Sequence, residues 1–400
     1  MRGLEAVAAG AFARHLRPES SRPVAVALSG GGDSVALTLI ADRWAKALGR
    51  DLLIFTADHG LRPESVGWTA RCAALAHRLD RPFKALPWVG DKPTRGMPAA
   101  ARRARHALLA DAARDAGAAV VLMGHTADDV AEAAVMRSCG STVPAPKAWA
   151  PSPAWPQGRS VFLLRPLLDA RREDIRAWLT AQGETWIDDP ANQDLRFARA
   201  RARCARPTPA PRLEPPPLAL AAAVTEHAGV LRIPRSTLQD ASPEDVARLT
   251  GLAAVCAGGG DRAPARERSH RLAVKLRTTG PVLATLAGAR VEAGESTVAF
   301  MREPGEFRRG GLAAIHAPGV WDGRFEVGGG GEVRRLHGLA NRLPRDEQAA
   351  LRNIPPAARS ALPARVGPDG AVTCPALAGT PSLVCARLQA AAGRVQREPA

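Results

Sequence analysis

Short apolar runs alternate with helix-like segments along the first half of the chain. Apolar runs of strand length that are rich in β-branched residues predict buried strands, and a helical spacing of apolar residues predicts helices. The predicted strands cover residues 24–28, 52–58, 82–89, 118–124 and 161–168. The predicted helices cover residues 34–49, 69–80, 99–117, 127–138 and 170–183. This alternation is typical of an α/β fold with a doubly wound, mostly parallel sheet.

The second half of the chain has a less regular pattern. Dense prolines at 205–217 predict a linker, because proline interrupts both helices and sheets. Beyond it, the sequence predicts an alanine-rich helix near 218–230 and a hairpin at 324–336. We therefore expect an α/β domain over 1–204, a proline-rich linker, and a separate basic region of mixed α and β structure over 218–400, with two lobes as one option.

The charge balance indicates a polyanionic partner. Lys and Arg outnumber Asp and Glu by 55 to 39, which gives a net charge of +16 and favours nucleic acid as that partner. The 6 cysteines include no C-x-x-C pair, so we expect no zinc and no iron–sulfur cluster. Scattered reduced thiols indicate a cytoplasmic setting. We expect neither a signal peptide nor a membrane segment, because no apolar run approaches the roughly 20 residues of a span.

Three consecutive glycines stand between the first predicted strand and the first predicted helix. A helix that begins after a glycine-rich turn binds anions, because its first N–H groups are free and its dipole favours negative charge. Asp33 can hold Mg²⁺ or a substrate hydroxyl. We therefore predict a phosphate-binding loop made of Ser29, Gly30, Gly31, Gly32, Asp33 and Ser34.

Other glycine-rich motifs fit this loop less well. A Walker A loop requires a lysine that is missing here, and a dinucleotide fingerprint would have glycine in place of Val35. The nucleophile elbow of hydrolases stays open, since GDSVA at 32–36 resembles its G-x-S-x-G pattern. A plain glycine turn also stays open, because Gly-Gly-Gly-Asp recurs at 258–261, where no amphipathic helix follows directly.

The string S-G-G-x-D-S in this loop resembles the pyrophosphate loop (PP-loop) of N-type ATP pyrophosphatases. Further segments resemble tRNA(Ile)-lysidine synthetases, and the resemblance covers about residues 20–205. These segments are DHGLRPES (58–65), AARRARHALL (100–109), GHTADDVAEA (124–133), RPLLDARREDIRAWL (165–179) and WIDDPANQDLRFARARAR (186–203).

The resemblance implies both a fold and a reaction. The fold is the adenine nucleotide alpha hydrolase-like type. The reaction uses ATP with Mg²⁺ to adenylate C2–O of the wobble cytidine in CAU-anticodon tRNA(Ile). L-lysine then displaces AMP, and the resulting lysidine changes the specificity of the tRNA from Met to Ile. The implied partners are that tRNA and L-lysine, with the basic region 218–400 contacting the tRNA. A homodimer is one option for the oligomeric state.

Four polar residues after the fourth predicted strand are candidate catalytic residues. They are His125, Asp128, Asp129 and Glu132. His125 with Asp129, and Asp128 with Glu132, are each four residues apart, so each pair shares a helix face. The carboxylates can bind the lysine ammonium or take its proton, and Asp33 and Asp129 are candidate Mg²⁺ ligands. The alternative is that acidic residues only complement a helix N-terminus.

Further candidates would contact the substrate or the tRNA. Asp58 and His59 stand at a strand end, with an N-cap as the alternative role. The remaining candidates are basic: Arg102, Arg105, Arg196, Arg199, Arg201 and Arg203. The last four lie in a stretch without acidic residues and would contact phosphates, with a solvated helix face as the alternative.

The match to the family pattern is incomplete. Lysidine synthetases usually have Gln and Thr at the positions of Val130 and Ala133, Arg in place of Cys139, and Asn in place of Ala200. Two readings other than a lysidine synthetase therefore stay open. One is another PP-loop tRNA-modifying enzyme such as a thiolase, although the C-x-x-C pairs usual in thiolases are missing. The other is a catalytically impaired tRNA-binding paralogue.

Overall fold

The chain forms two compact units in a computed structural model that describes residues 3–190, 194–196, 198–205, 208 and 214–400. One unit consists of Met1–Pro215 together with Val395–Ala400. The other unit consists of Pro216–Arg394. The chain thus leaves the first unit once and returns to it with its last residues.

A six-stranded sheet forms the centre of the first unit. Its strands are β1 (Val24–Ala27), β2 (Leu52–Asp58), β3 (Phe83–Pro87), β4 (Val120–Met123), β5 (Trp149–Pro151) and β6 (Phe162–Leu164). Their spatial order is β3-β2-β1-β4-β6-β5, and all neighbours are parallel except β5 and β6. The predicted α/β class and mostly parallel sheet are therefore confirmed. The strand order reverses beside β1, where doubly wound sheets bind ligands.

Seven helices are described in this unit, and those between the strands cover the sheet. They are α1 (Leu4–His15), α2 (Gly32–Leu48), α3 (Ser65–Arg78), α4 (Met97–Asp115), α5 (Ala127–Ser138), α6 (Arg172–Ala181) and α7 (Ala198–Cys204). The strands are apolar on both faces because helices pack against each face. In one core cluster, Phe55 and Val121 of the sheet pack with Leu109 of α4.

The last residues of the chain pack into the first unit. The Glu398 side chain is fully buried and pairs with the buried Arg50 guanidinium. The Trp149 Nε1–H donates to the Val395 carbonyl at 2.7 Å, and Arg17 Nε donates to the Glu398 carbonyl at 2.8 Å. A buried ion pair that keeps both partners avoids leaving a charge unpaired, so this tail belongs to the fold of the unit.

The second unit mixes helices and antiparallel sheets, as predicted for the C-terminal region. Its strands are β7 (Thr225–His227), β8 (Val230–Pro234), β9 (Val282–Leu286), β10 (Ala289–Ala293), β11 (Thr297–Arg302), β12 (Ile315–His316), β13 (Gly319–Trp321), β14 (Phe325–Val327), β15 (Glu332–Arg335), β16 (Pro363–Val366) and β17 (Val372–Thr373). They form sheets with the orders β7-β8-β11-β10-β9, β12-β15-β16-β17 and β13-β14.

Six helices accompany these sheets in the described part of the unit. They are α8 (Arg235–Asp240), α9 (Pro243–Ala257), α10 (Arg266–Arg277), α11 (Arg345–Leu351), α12 (Pro356–Arg359) and α13 (Val384–Ala391). One apolar core packs α9, α10 and α13 on the five-stranded sheet, and a second surrounds Trp321 and Phe325. Nowhere in the described ranges is there a helix with the length and apolar character of a membrane span.

Two predictions for this region are wrong. The alanine run forms only a 3₁₀ turn at Ala219–Ala223, because β7 starts at Thr225 and pairs with β8. The hairpin predicted at 324–336 does not form, since β14 pairs with β13 whereas β15 pairs with β12 and β16. The glycines at 328–331 connect strands of two different sheets, and a run of four glycines does not fix a turn register.

Candidate active site

A cavity of about 310 Å³ opens at the carboxyl ends of β1 and β4. The glycine loop, His125 and Asp129 line it. Its charged lining comprises Arg105, Arg172, Arg176, Arg199, Arg203, Asp33, Asp129 and Asp188. Five arginines against three aspartates leave a surplus of two positive charges. The cavity therefore has the electrostatic character of a site for a polyanion.

The glycine loop passes directly into the N-terminus of α2, which begins at Gly32. The Ser34 hydroxyl donates to the Gly31 carbonyl at 2.8 Å and accepts from the Ser29 N–H at 3.1 Å, which closes the loop. Gly30 has a φ of +82°, and a side chain there would meet Ile187 Cδ1 at 2.4 Å. The loop thus keeps a fixed shape and points the first N–H groups of α2 outward, as an anion site requires.

Gly124 allows β4 and α2 to approach each other at the cavity wall. A Cβ atom on Gly124 would lie 3.0 Å from the main chain of Asp33 and from Ser34 Cα. Real Cβ atoms rarely come that close to main-chain atoms that cannot yield. The residue before His125 therefore has to be glycine for α2 to begin beside β4.

His125 is buried at 9% exposure and lies against Arg165. The Arg165 Nε–H donates to His125 Nδ1 at 3.1 Å. Because arginine keeps its proton in proteins, Nδ1 must be the unprotonated nitrogen, and Nε2 carries the ring proton. Burial, reinforced by the nearby charge of Arg165, holds the pKa of His125 well below its usual range. His125 is therefore a neutral N–H donor at physiological pH.

Asp129 is engaged through both of its carboxylate oxygens. Oδ2 accepts from the Thr126 N–H at 2.8 Å and forms part of a capping box at the start of α5. Oδ1 accepts from Arg199 at 2.7 Å and from Arg172 at 3.3 Å. Asp129 thus caps its helix with one oxygen and pairs with arginine at the cavity with the other.

Glu132 is buried at 1% exposure and accepts hydrogen bonds from three arginines. The distances are 3.0 Å from Arg172, 3.2 Å from Arg199 and 2.9 Å from Arg203. Arg199 and Arg203 are four residues apart on α7, so they share the helix face that packs on α5. The carboxylates of α5 therefore hold α7 against the cavity.

Asp33 is the least compensated carboxylate at the cavity. Its contact with Arg172 is long, 3.4 Å from Nε to Oδ2. Burial raises its pKa to about 6, although the Arg172 charge opposes that rise. A cation placed beside Asp33 would stabilise the ionised form and lower this pKa again.

Arg105 brings a poorly compensated positive charge to the opposite wall. Its Nε is shielded from solvent and has no hydrogen-bond partner in the described parts of the chain. Burial and the neighbouring Arg102 lower the pKa of Arg105 to about 10. Leaving a buried donor unsatisfied is costly, so this wall is suited to a bound anion.

The other candidates from the sequence lie outside the centre of the site. The Asp128 carboxylate accepts from the Arg172 N–H at 2.7 Å and so caps the start of α6. Arg196 is exposed and pairs with Asp194, and Arg201 donates to the carbonyls of Leu195 and Arg196. The structure therefore brings together Arg199 and Arg203, while Arg196 and Arg201 do not line the cavity.

The remaining candidates do not line the cavity but lie close in sequence to residues that do. Asp58 ends β2 and accepts from the Gly60 N–H at 2.8 Å, and His59 follows it beside Trp88. Arg102 lies on α4, close enough to Arg105 for the two charges to interact. Among the described residues, no group of three or more His, Cys, Asp or Glu side chains is arranged to hold a metal ion.

Three residues that shape the site were not singled out from the sequence. Arg165 and Arg172 follow β6 at the same sheet edge as the glycine loop, and Gly124 precedes His125. The position of Arg172 after a predicted strand was a usable signal, because strand ends in a doubly wound sheet meet at one edge. Arg165 and Gly124 lie within the strands predicted at 161–168 and 118–124. The contacts of the two arginines to His125, Asp129 and Glu132 were not readable, since they join segments about 40 residues apart.

Comparison with known proteins gives a consistent assignment. Residues 4–206 match the ATP_bind_3 family, a PP-loop domain. The chain is 48% identical over 370 residues to the tRNA(Ile)-lysidine synthase of Caulobacter vibrioides, which covers 90% of this chain and 88% of that protein. The enzyme of the same name from Hyphomonas neptunium is 34% identical over 320 residues, with 74% and 85% coverage. That from Methylobacterium nodulans is 36% identical over 320 residues, with 73% and 93% coverage.

Proposed function

Since the chain belongs to the tRNA(Ile)-lysidine synthase family of PP-loop enzymes, we propose that it ligates lysine to the wobble cytidine of CAU-anticodon tRNA(Ile) at the cavity described above. The observation that carries this assignment is a glycine loop at a helix N-terminus, within a cavity lined by more arginines than aspartates. ATP supplies the triphosphate that this loop and these charges suit.

The first step forms a bond between the cytidine C2 oxygen and the α-phosphorus of ATP. The bond from that phosphorus to the bridging oxygen breaks, and pyrophosphate leaves. Negative charge develops on the departing phosphates, and groups fixed in place before reaction stabilise it best. The N–H groups at the start of α2 and the Arg105 guanidinium occupy two walls of the cavity and are proposed for this role.

His125 serves this step as a hydrogen-bond donor. Its Nδ1 accepts from Arg165, so its Nε2 proton is the one available to a phosphate oxygen. A neutral imidazole held in this tautomer does not serve as the base. We therefore assign His125 to stabilising charge and Arg165 to fixing the tautomer.

Asp33 fits a Mg²⁺ ion better than Asp129 does. Asp33 has a single long contact with Arg172, and its raised pKa reflects a carboxylate that lacks compensation. Both oxygens of Asp129 already accept hydrogen bonds. When bound, Mg²⁺ would supply positive charge to the phosphate oxygens. We propose Asp33 as the protein ligand, with the phosphates and water completing the coordination.

The second step joins the lysine ε-nitrogen to C2 of the adenylated cytidine. The ammonium first gives a proton to the carboxylate that binds it, the free amine then attacks C2, the C2–O bond breaks and AMP leaves. We propose that Asp129 and Glu132 bind the incoming ammonium, because they already hold guanidinium groups there. Arg199 is the more exposed of their partners at 45%, against 15% for Arg172, and is the group that lysine would replace.

Incorporation of labelled lysine tests the assignment. The purified chain, ATP, radiolabelled lysine and a CAU-anticodon tRNA(Ile) transcript should yield labelled RNA only when all four are present. A transcript with GAU in place of CAU serves as the RNA control. Asp33→Ala should retain the wild-type circular dichroism spectrum and lose the label.

Two outcomes would overturn the proposal. Tight tRNA binding without any label would identify an impaired tRNA-binding protein. ATP-dependent release of pyrophosphate with a sulfur donor, but not with lysine, would indicate a thiolase-like enzyme. Normal labelling of the tRNA by the Asp33→Ala variant would contradict the assignment of the site but not the assignment of the reaction.

A further inference from the structure

An aromatic and basic cluster lies beyond the carboxyl ends of β2 and β3. It consists of His59, Trp88 and Lys92 and is called the Trp88 cluster below. The His59 ring meets the Trp88 ring edge-on, with centroids 6.0 Å apart and an interplanar angle of 86°. Lys92 Nζ lies 5.7 Å from the centroid of the Trp88 ring. The Trp88 ring therefore contacts both a second ring and a cation.

Hydrogen bonds fix the two loops that carry the cluster. The Trp88 N–H donates to the Asp58 carbonyl at 2.7 Å, and Lys92 Nζ donates to the Gly60 carbonyl at 3.0 Å. His59 Nδ1 is buried and has no hydrogen-bond partner among the described residues. The His59 ring is therefore held by its packing against Trp88, since its Nδ1 makes no hydrogen bond within the described residues. The cluster is a preformed surface.

The surroundings of the cluster combine exposed apolar side chains with charges of both signs, since Asp91 precedes Lys92 and Asp58 precedes His59. Val89 is 82% exposed and Leu61 is 43% exposed, while Trp88 itself is half-buried. Lys92 and the exposed Arg95 contribute positive charge in the same loop. Exposed aromatic rings beside cations are how proteins bind unpaired bases, through stacking on the ring and attraction of the phosphate. This chemistry favours single-stranded nucleic acid over an acidic protein surface, which would not need the aromatic face.

The cluster follows a strand that lines the cavity of the active site. Phe55 and Ala57 of β2 line the cavity, and alternate residues of a strand point to the same side. His59 lies two residues after Ala57, directly beyond the end of β2. Burial and the charge of Arg105, a cavity residue, lower the pKa of His59, so its ring is neutral. A nucleotide chain with one base in the cavity would therefore pass the Trp88 cluster.

We propose that Trp88 stacks on the adenosine that follows the wobble cytidine in the CAU anticodon, with Lys92 contacting the adjoining phosphate. This inference rests on the proposed function, which places the wobble cytidine in the cavity. The central adenosine is the neighbour of that cytidine within the anticodon, and as a purine it offers the larger stacking face. Trp88 and Lys92 then hold the anticodon open beside the cavity, separately from the groups that perform the chemistry.

An anticodon stem-loop with 2-aminopurine in place of this adenosine tests the proposal. Stacking on Trp88 should quench its fluorescence on binding to the full-length chain. Because a stacked base contributes about 1–3 kcal/mol, Trp88→Ala should weaken binding by about 5- to 150-fold and remove the quenching. Trp88→Phe should restore much of both. Lys92→Gln should lower the salt dependence of binding by about one counterion.

Trp178 provides a matched control, because it is also half-buried beneath an arginine, with Arg43 5.2 Å from its ring centroid on the α2 and α6 side. Trp178→Ala should leave quenching and affinity unchanged. Unaltered quenching in a folded Trp88→Ala variant would overturn the inference. Quenching that occurs only when 2-aminopurine is placed outside the anticodon would overturn it as well. If the wild-type chain still labels tRNA with lysine, the proposed function survives that result. If it does not, the proposed function fails whatever the quenching shows.

Discussion

The same four residues, Gly-Gly-Gly-Asp, occur at 30–33 and at 258–261 with opposite structural roles. The first copy precedes α2, so its glycines lie at the positive end of a helix. The second copy follows α9, whose C-cap is Gly258, so its glycines lie at the negative end. Because the helix dipole attracts anions at the N-terminus, the same four residues are suited to a phosphate site at 30–33 and not at 258–261.

The glycines of the two loops also differ in how closely the protein packs against them. A Cβ atom on Gly31 would make only ordinary contacts, the nearest at 3.8 Å to the Ser29 hydroxyl, so alanine fits at that position. Cβ atoms on Gly258 and Gly259 would lie 2.1 Å from the carbonyl oxygens of Ala287 and Asp322. Close packing by the protein thus requires glycine at Gly30 in the first loop and at Gly258 and Gly259 in the second, whereas Gly31 lines the cavity and has no such close neighbour.

The largest effect is expected from Gly259→Ala. This residue has a φ of +68°, and the added methyl group meets a main-chain oxygen that cannot move away. Backbone strain and overpacking together should lower the free energy of unfolding of the second unit by about 4 kcal/mol. Urea unfolding followed by circular dichroism measures this loss.

Gly260→Ala is the matched control, since its Cβ would lie 4.0 Å from the nearest atom. It should cost less than about 1 kcal/mol. Equal stability of the Gly259→Ala and Gly260→Ala variants would show that the second loop is as open as the first.

The aspartates that end the two loops should differ almost as strongly in their effect on activity. Asp33 lines the cavity, whereas Asp261 is exposed in the second unit. Removing one preorganised charge-stabilising group typically lowers a rate by about 10²–10³-fold. Asp33→Asn should therefore lower the rate of lysine incorporation by that factor, and Asp261→Asn should leave it unchanged. Comparable losses in both variants would contradict the assignment of the phosphate site to the first loop.

The contrast between the two glycine loops shows which structural features could be predicted from the sequence. A strand before the glycines and a helix after them distinguished 30–33, because periodicity reports local structure. The parallel sheet followed from the same alternation. The 218–230 helix and the 324–336 hairpin were wrong because strand pairing with distant segments decided those regions. Long-range pairing leaves no local periodicity to read.

The candidate site could be predicted only in part, because contacts between distant segments also decide which residues form it. Residues at strand ends, such as Asp33, His125 and Asp129, were identified because one sheet edge brings them together. Arg165 and Arg172 were missed, since an arginine in a basic chain is unremarkable until its acceptor is known. Arg199 and Arg203 face inward because both donate hydrogen bonds to Glu132, a carboxylate about 70 residues away in the sequence. Charge pairing across the fold, and not charge count, decides which arginines line the cavity.

The pH dependence of stability separates the two aspartates by a second route. Burial raises the pKa of Asp33 to about 6 from an ordinary value near 3.8. The folded state therefore binds this proton more tightly than the unfolded state. The stability that this protonation contributes is lost as the pH rises from about 4 through 6. In EDTA, Asp33→Asn should gain stability relative to wild type over that range, by at most about 3 kcal/mol.

Urea unfolding at pH 4.5, 5.5 and 7 measures the gain. Asp261→Asn, in the second unit, is measured under the same conditions as the control. A constant difference between Asp33→Asn and wild type would mean that Asp33 is not held in a desolvated position.

The smallest effect is expected from Gly31→Ala, and it tests whether a ligand approaches the first loop at Gly31, which lines the cavity. The φ of Gly31 is −71°, which alanine adopts without strain, and no atom lies within 3.7 Å of the added methyl group. Stability should therefore change by less than about 1 kcal/mol. The methyl group nevertheless occupies the wall where a phosphate would approach the N–H groups of α2. We expect KM for ATP to rise about tenfold, equivalent to about 1.4 kcal/mol, with KM for lysine unchanged. Steady-state lysine incorporation at varied ATP measures this effect. An unchanged KM for ATP would mean that the triphosphate lies away from Gly31, and the contrast between the two glycine loops would then rest on helix polarity alone.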